Sequence, residues 1–205
     1  MKARTMKATR FKIALLAILA SAVPALALEL GSSSVRNCTW CHGSGAQGYF
    51  PAPRLAGQRA PYIETQLMDF RVHSRDNPFS KQYMWGAVSG LDPLTARVLA
   101  HYFSMLPPRA ANDGPPQFAR FGETIYQQGM PDANIAACVV CHGPNGEGVG
   151  AIPRVGGLGY EYLKARLEQW GEGYHTRAKP PMPRIAARLS EEQIVALASY
   201  LSFLQ

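Results

Sequence analysis

The pentapeptide CTWCH at residues 38–42 is the stretch that decides the fold, and a second copy, CVVCH, stands at residues 138–142. The copies lie 100 residues apart and contain all four cysteines of the 205-residue chain. In both, two residues separate the cysteines, and a histidine directly follows the second cysteine. An explanation of the motif has to account for that histidine as well as for the thiols.

Two disulfides, two half zinc sites and chance are the simpler explanations, but none requires a histidine at this position in both copies. Adjacent Cys41 and His42 cannot easily converge on one small ion. Covalent haem attachment uses all three residues, because the thiols bond the two vinyl groups and the imidazole lies beneath the iron. We therefore predict two haem c groups. The predicted thioether residues are Cys38, Cys41, Cys138 and Cys141, and the predicted proximal ligands are His42 and His142.

An internal repeat accompanies the two motifs. At an offset of 100 residues Tyr62 falls on Tyr162, and apolar residues at 63, 67 and 70 fall on apolar residues at 163, 167 and 170. Their spacing of four and then three residues is one face of an α-helix, which predicts a helix here in each half.

Beyond this helix the offset becomes 98, so the halves differ by two residues in length. A closing helix is predicted in each half, opened by Asp92-Pro93 in the first and by Ser190 with Gln193, a capping-box pair, in the second. The repetition is therefore on the scale of a domain and has none of the short period of a solenoid.

Two methionines are the candidate sixth ligands. At the offset of 98, Met84 aligns with Met182, and they follow their histidines by 42 and 40 residues, in predicted loops between helices. A thioether at this position favours ferrous iron and raises the potential relative to a second imidazole.

Other side chains compete with this assignment. His73 and His175 precede the two methionines in roughly corresponding stretches, so bis-histidine ligation is the alternative. Met68 and Met105 lie on helical stretches and are predicted to fill the core. His101, on the closing helix of the first half, is predicted to be structural or solvent-exposed.

A Pro-Arg pair follows each motif. Pro53 and Pro153 come eleven residues after their histidines, where a proline carbonyl can accept from imidazole Nδ1 and fix the ring. Arg54 and Arg154 are candidates to bind a haem propionate. The simpler alternatives are turn prolines and solvated surface arginines.

The basic character of the chain resides largely in its leader. Residues 1–27 hold five Lys or Arg and no acidic residue, and without them the net charge falls from +7 to +2. An apolar run from Ile13 to Val23 and the tripeptide Ala25-Leu26-Ala27 then follow, as in a secretory signal. The run is too short to span a bilayer, so we predict cleavage after Ala27 and export to the periplasm. A retained anchor, with membrane association, is the alternative, and a nucleic-acid partner is not expected.

The halves are joined by PPRAANDGPP at residues 107–116, which cannot continue a helix and is predicted to be a short, stiff linker. The predicted organisation is a signal peptide at residues 1–27, one domain at 28–106 and a second at 117–205. Domains of this size have marginal apolar cores, so a buried macrocycle would supply much of the missing contact area.

Taken together, the two Cys-x-x-Cys-His-Gly motifs, PRLAGQ at residues 53–58 and LSEEQ at residues 189–193 resemble the dihaem cytochromes c of the cytochrome c4 type. The resemblance covers nearly all of the chain after the leader. It implies an all-α fold of two tandem class I cytochrome c domains, each wrapped around a covalently bound haem c. It also implies His/Met ligation, a periplasmic location and single-electron transfer.

The first half departs from this pattern ahead of its haem motif. The second half carries Phe118, Phe121 and Ile125 on one helical face, with Gly122 permitting close packing, as in the first helix of the family. The first half has only residues 28–37 in that place. Its opening helix is therefore predicted to be shortened or absent, unless a retained leader supplies it.

Three functions compete. The first is an electron carrier, not an enzyme, between a quinol–cytochrome c reductase or dehydrogenase and a terminal oxidase or reductase. The second is the dihaem subunit of a dehydrogenase such as flavocytochrome c sulfide dehydrogenase. The third is a self-contained haem enzyme, either a dihaem peroxidase, which is usually longer, or a thiosulfate-oxidising cytochrome, which commonly uses a cysteine ligand.

Two lysines, Lys81 and Lys179, lie beside the predicted ligand loops. They are either a cationic rim for an acidic partner or lysines that keep the surface soluble.

Overall fold

The computed structural model of the chain describes residues 34–174 and 181–205. Its α-helices within these ranges are α1 at residues 34–42, α2 at Ala60–Arg71, α3 at Trp85–Ala87, α4 at Pro93–Met105, α5 at Pro116–Gln128, α6 at Val139–His142, α7 at Tyr160–Gly171, α8 at Met182–Ala186 and α9 at Glu191–Phe203. A π-helical turn, Ser80–Met84, runs directly into α3, and Pro131–Ala133 forms a 3-10 turn. No β-strand occurs in the described ranges, and the predicted all-α class is confirmed.

The closing helices begin where their sequences predict. The Asp92 carboxylate accepts hydrogen bonds from the backbone N–H groups of Leu94 and Thr95, and Pro93 occupies the first turn of α4, where its missing N–H costs nothing. Ser190 and Gln193 form a complete capping box at the start of α9. Both helices are therefore anchored at their N-termini by their own side chains.

Each half has its own apolar core. In the first half α2 packs on α4, and the buried cluster includes Ile63, Leu99 and Phe103. In the second half α7 packs on α9, with Leu163 and Leu197 in the equivalent places. The helices predicted from the repeated apolar spacing thus form the centre of both clusters.

A further helix pair, α5 on α9, enlarges the second core. Gly122 allows this packing, because a Cβ at that position would overlap the carbonyl group of Ala196. Ile125 and Tyr126 are fully buried beside it, but Phe118 and Phe121 are 36% and 40% exposed. Phe118, Phe121 and Ile125 lie on one face of the helix as predicted, but only Ile125 of the three is fully buried, and Tyr126 is buried next to it.

The linker is hydrogen-bonded to both halves. Gln47 of the first half donates to the carbonyl of Pro107 and accepts from the N–H of Arg109, at 3.0 Å and 3.1 Å. Backbone N–H groups of Ala111 and Asn112 donate to the carbonyls of Gly157 and Ser202, at 3.1 Å and 3.0 Å. Pro115 accepts a bond of 2.6 Å from the hydroxyl of Ser199. The linker is therefore held by tertiary hydrogen bonds, and its stiffness stays a prediction.

Other details differ from the sequence expectations. The described chain is already helical at residue 34, four residues before Cys38, and residues 28–33 lie outside the described ranges. Met105 is 64% exposed and does not fill the core, because it stands on the outer face of α4 at its end. His101 is exposed, as one of the two predicted alternatives stated. No described helix is long and apolar enough to cross a bilayer.

Candidate functional site

The four cysteines form no disulfide with one another, and each pair lies in the helical turn that ends at its histidine. Cys38 and Cys138 are partly buried, whereas Cys41 and Cys141 are exposed. Burial raises the pKa of the Cys38 thiol, and it raises the pKa of Cys138 to about 11. Each half therefore presents one inner and one outer cysteine side chain at the edge of its core.

Each histidine is held by the proline carbonyl eleven residues later. His42 Nδ1 lies 2.7 Å from the carbonyl oxygen of Pro53, and His142 Nδ1 lies 3.0 Å from that of Pro153. Burial lowers the pKa of both imidazoles and the carbonyl contact partly offsets it. A neutral ring that donates from Nδ1 keeps the lone pair of Nε2 available to a metal.

Two glycines that the sequence reasoning did not single out make this contact possible. Gly48 and Gly148 adopt φ angles of +76° and +68°, and their N–H groups donate to the carbonyls of His42 and His142. A Cβ on either would overlap the backbone leading to the proline carbonyl. Their correspondence at the offset of 100 residues was the signal available in the sequence.

The predicted sixth ligands lie in short helical turns rather than in loops, so that part of the expectation is wrong. Met84 ends the π-helical turn that continues as α3, and Met182 is the first residue of α8. Both placements have a local cause. Pro183 favours the first turn of a helix, so α8 begins at Met182. Met84 is helical because the π-helical turn runs on into α3 without a break. Both side chains are partly buried, and Met182 packs against the second core.

His73, the alternative sixth ligand of the first half, is exposed and packs against another side chain. Its ring stacks on Trp85, with centroids 3.9 Å apart and planes inclined by 15°. His175 and Lys179 lie outside the described residues. Lys81 is exposed, with its Nζ 5.8 Å from the Trp85 ring centroid.

The two arginines after the prolines have different surroundings. Arg54 is 5% exposed, and its guanidinium donates to the carbonyls of Gly156, at 2.6 Å, Gly157, at 2.7 Å, and Arg109. Burial, together with the charge of Arg154, lowers the pKa of Arg54 to about 10. The alternative of a solvated surface arginine is therefore wrong for Arg54, which bonds the first half to the second. Arg154 is partly buried.

Some buried side-chain N–H groups have no hydrogen-bond acceptor within the protein. In the described part of the chain these side-chain atoms are Arg54 Nε, Arg75 Nε, Arg154 Nε and Trp170 Nε1. A buried N–H without an acceptor costs about 1–3 kcal/mol, so acceptors from outside the protein are expected. Haem propionates are acceptors of this kind, so the unpartnered donors of Arg54 and Arg154, together with the cysteine pairs and the available imidazole nitrogens, fit two haem c groups.

A protein-only metal cage is not formed in the described ranges, where no three His, Cys, Asp or Glu side chains come together as a candidate site. In the sequence, each histidine instead follows two cysteines and precedes a methionine about 40 residues later, which is the pattern of a haem site.

Comparison with known proteins agrees with this geometry. The family model for cytochrome c matches residues 119–205. The thiosulfate dehydrogenase electron acceptor of Stutzerimonas stutzeri is 38% identical over 172 residues, covering 80% of this chain and 77% of that protein. Cytochrome c4 of Thiocapsa roseopersicina is 34% identical over 174 residues, covering 80% of this chain and 85% of that protein.

A solved structure shows the same likeness over the whole fold. The chain superposes on the cytochrome c4 structure from Acidithiobacillus ferrooxidans with a TM-score of 0.76 at 36% identity. The match covers 82% of this chain and 98% of that one. The likeness therefore includes both halves and their arrangement.

Proposed function

The chain belongs to the cytochrome c4 family of dihaem c-type electron carriers, and from that premise we propose that it works in the periplasm, between a respiratory donor and a terminal oxidase or reductase. The donor class is a quinol–cytochrome c reductase or a dehydrogenase. One observation carries the proposal: in each half a pair of cysteines adjoins a buried imidazole that is held through Nδ1 by a proline carbonyl.

Haem c, when bound, supplies one-electron exchange between ferrous and ferric iron. The residues of the chain bind and tune it. Cys38 and Cys41 in the first half, and Cys138 and Cys141 in the second, are proposed to form the thioethers. His42 and His142 offer Nε2 to the iron while their Nδ1 atoms stay bonded to carbonyls, which fixes ring orientation and basicity.

The opposite side of each site is proposed to be completed by a methionine. Met84 and Met182 offer soft thioethers, which favour the ferrous state and keep both potentials high. Arg154, and the one guanidinium nitrogen of Arg54 that is not bonded to a carbonyl, are proposed to bind propionates. The proposed domains remain residues 28–106 and 117–205, with the linker between them.

Optical spectroscopy of the holoprotein tests the ligand set. We expect two haems per chain in the alkaline pyridine assay and a far-red sulfur-to-iron band in the ferric protein. Met182→Ala should abolish about half of that band, because one of two thioether ligands is lost. Met68→Ala is the matched control and should leave the band intact. An undiminished band in Met182→Ala would contradict the assignment.

A second candidate is a dedicated acceptor for a dehydrogenase, since the relative in Stutzerimonas stutzeri is named as the electron acceptor of thiosulfate dehydrogenase. Stopped-flow reduction by that enzyme with thiosulfate distinguishes the two functions. Reduction many times faster than by a general donor favours the dedicated acceptor. Stable co-purification with a flavoprotein would instead favour a flavocytochrome subunit.

The periplasmic location rests on the leader. We propose that residues 1–27 are removed after Ala27, which predicts Leu28 as the first residue of the exported protein. N-terminal sequencing of the periplasmic fraction checks this, and an intact leader in the membrane fraction would show that it is retained as an anchor.

A further inference from the structure

Arg75 lies between α2 and the π-helical turn, and its buried guanidinium is hydrogen-bonded to a residue of the second half. Its side chain is 5% exposed. Nη2 donates to the hydroxyl of Tyr162 on α7, at 3.2 Å, and Nη1 donates to Oε1 of Gln66, at 2.7 Å. The guanidinium carbon lies 4.7 Å from the ring centroid of Phe70. One side of Arg75 is therefore fixed by contacts that include the second half.

The other side of Arg75 reaches the segment that carries Met84. The indole Nε1 of Trp85 donates to the carbonyl oxygen of Arg75 at 2.9 Å. Trp85 follows Met84 directly, and its ring is also stacked on His73. A continuous chain of bonds thus runs from Tyr162 through Arg75 and Trp85 to the backbone of the predicted sixth ligand.

The corresponding residues of the second half are of different types. Its buried guanidinium comes from Arg166, at the position of Gln66, and stacks on Trp170 with 4.8 Å to the ring centroid. Pro183, which follows Met182, occupies the place of Trp85 and has no N–H to donate. The indole that donates to a loop carbonyl at the first site is therefore replaced by proline at the second.

We propose that Arg75 is a positioning residue through which Tyr162 of the second half sets the seating of Met84, and hence the reduction potential, of the first haem. The inference rests on the proposed Met84 ligation. When the Tyr162 contact is lost, Arg75 and Trp85 relax and the thioether is held less firmly. Because a thioether favours ferrous iron, a weaker one moves the equilibrium toward the ferric state.

Tyr162→Phe tests the proposal, because it removes the hydroxyl and keeps the ring. The measurement is a spectroelectrochemical titration of the holoprotein, made also in the Met182→Ala background, where the remaining far-red band reports Met84 alone. We expect the reduction equilibrium of the first haem to shift about fivefold toward ferric, the effect of one hydrogen bond, with a weakened far-red band.

Three further variants separate positioning from general disturbance. Tyr160→Phe, on the same helix, is the matched control and should leave both potentials unchanged. Trp85→Phe keeps a ring for His73 but removes the bond to Arg75, so it should reproduce the shift. Arg75→Lys keeps the charge and loses the two-armed contact, so Tyr162→Phe should have no additional effect in that background.

The proposal fails if Tyr162→Phe leaves the first potential and its band unchanged, or if it shifts both haems equally. It also fails if Trp85→Phe has no effect. In these cases a haem count of two and an intact band in the parent protein would still support the proposed function. A parent protein without the band would instead contradict the ligation on which both proposals stand.

Discussion

At the scale of single residues, the proximal side of each site depends on glycine as much as on histidine. The proline carbonyl can reach the imidazole only because the backbone at Gly48 and Gly148 turns with positive φ beneath it. A side chain there would meet the very segment that carries the acceptor. The orientation of each imidazole ring thus depends on a residue that has no side chain.

Gly148→Ala is therefore expected to destabilise the protein by about 2–4 kcal/mol, the sum of left-handed strain and overlap with the backbone of residues 152 and 153. Guanidinium unfolding of the holoprotein measures the change. Gly150→Ala is the control, since its φ of +56° brings the same strain but nothing lies within 4 Å of the new Cβ. Equal losses in the two variants would refute the overlap.

At the scale of helices, local signals were sufficient for some features and insufficient for others. The caps at Asp92 and Ser190 were predictable because each cap bonds to residues within three positions. Met84 was misplaced in a loop because a π-helical turn has no apolar period of its own. The exposure of Phe118 and Phe121 could not be predicted, because periodicity gives a face of the helix but not the partner that covers it.

The α4 cap gives a prediction about pH. Hydrogen bonds from Thr95 and Leu94 lower the pKa of Asp92 below its ordinary value of 3.8. A carboxyl with a lowered folded pKa contributes stability that is complete above its unfolded pKa and is lost as pH falls through the folded value. Asp92→Asn keeps a hydrogen-bond acceptor but lacks the charge. Wild type should therefore have the higher free energy of unfolding of the two, and this difference should disappear only below about pH 4.

Thermal unfolding of both proteins between pH 3 and pH 7 checks this, and the difference between them is the quantity of interest because it cancels acid effects at the haem sites. A difference that stays constant across the whole range would show that the charge of Asp92 contributes nothing.

At the scale of the whole molecule, the halves are joined by backbone acceptors that no sequence pattern reveals. Arg54 donates to carbonyls 102 and 103 residues further along the chain, and Gln58 bonds both the N–H and the carbonyl of Arg154. The Pro-Arg pair was visible in the sequence, but carbonyl partners carry no side-chain signature. The contact that Arg54 makes between the halves could therefore not be predicted, while its propionate contact through Nε stays a prediction.

Replacing Arg54 should separate the unfolding of the two halves. Arg54→Gln removes three hydrogen bonds and leaves buried carbonyls unpaired, so we expect a loss of about 3 kcal/mol and two resolved transitions in place of one. Differential scanning calorimetry of the holoprotein measures both. Arg59→Gln, at an exposed arginine nearby, is the control and should unfold as wild type does.

The linker bonds described above bear on how the protein can be divided for engineering. Pro107 and Arg109 are bonded to Gln47 of the first half, whereas Ala111 and Asn112 are bonded to residues of the second half. A split gene or a domain-exchange chimera should therefore place its junction at Ala110, keeping residues 107–109 with the N-terminal piece and residues 111–116 with the C-terminal piece. A junction at residue 117 would remove the N–H groups of Ala111 and Asn112 and the carbonyl of Pro115, which are hydrogen-bonded to the C-terminal piece.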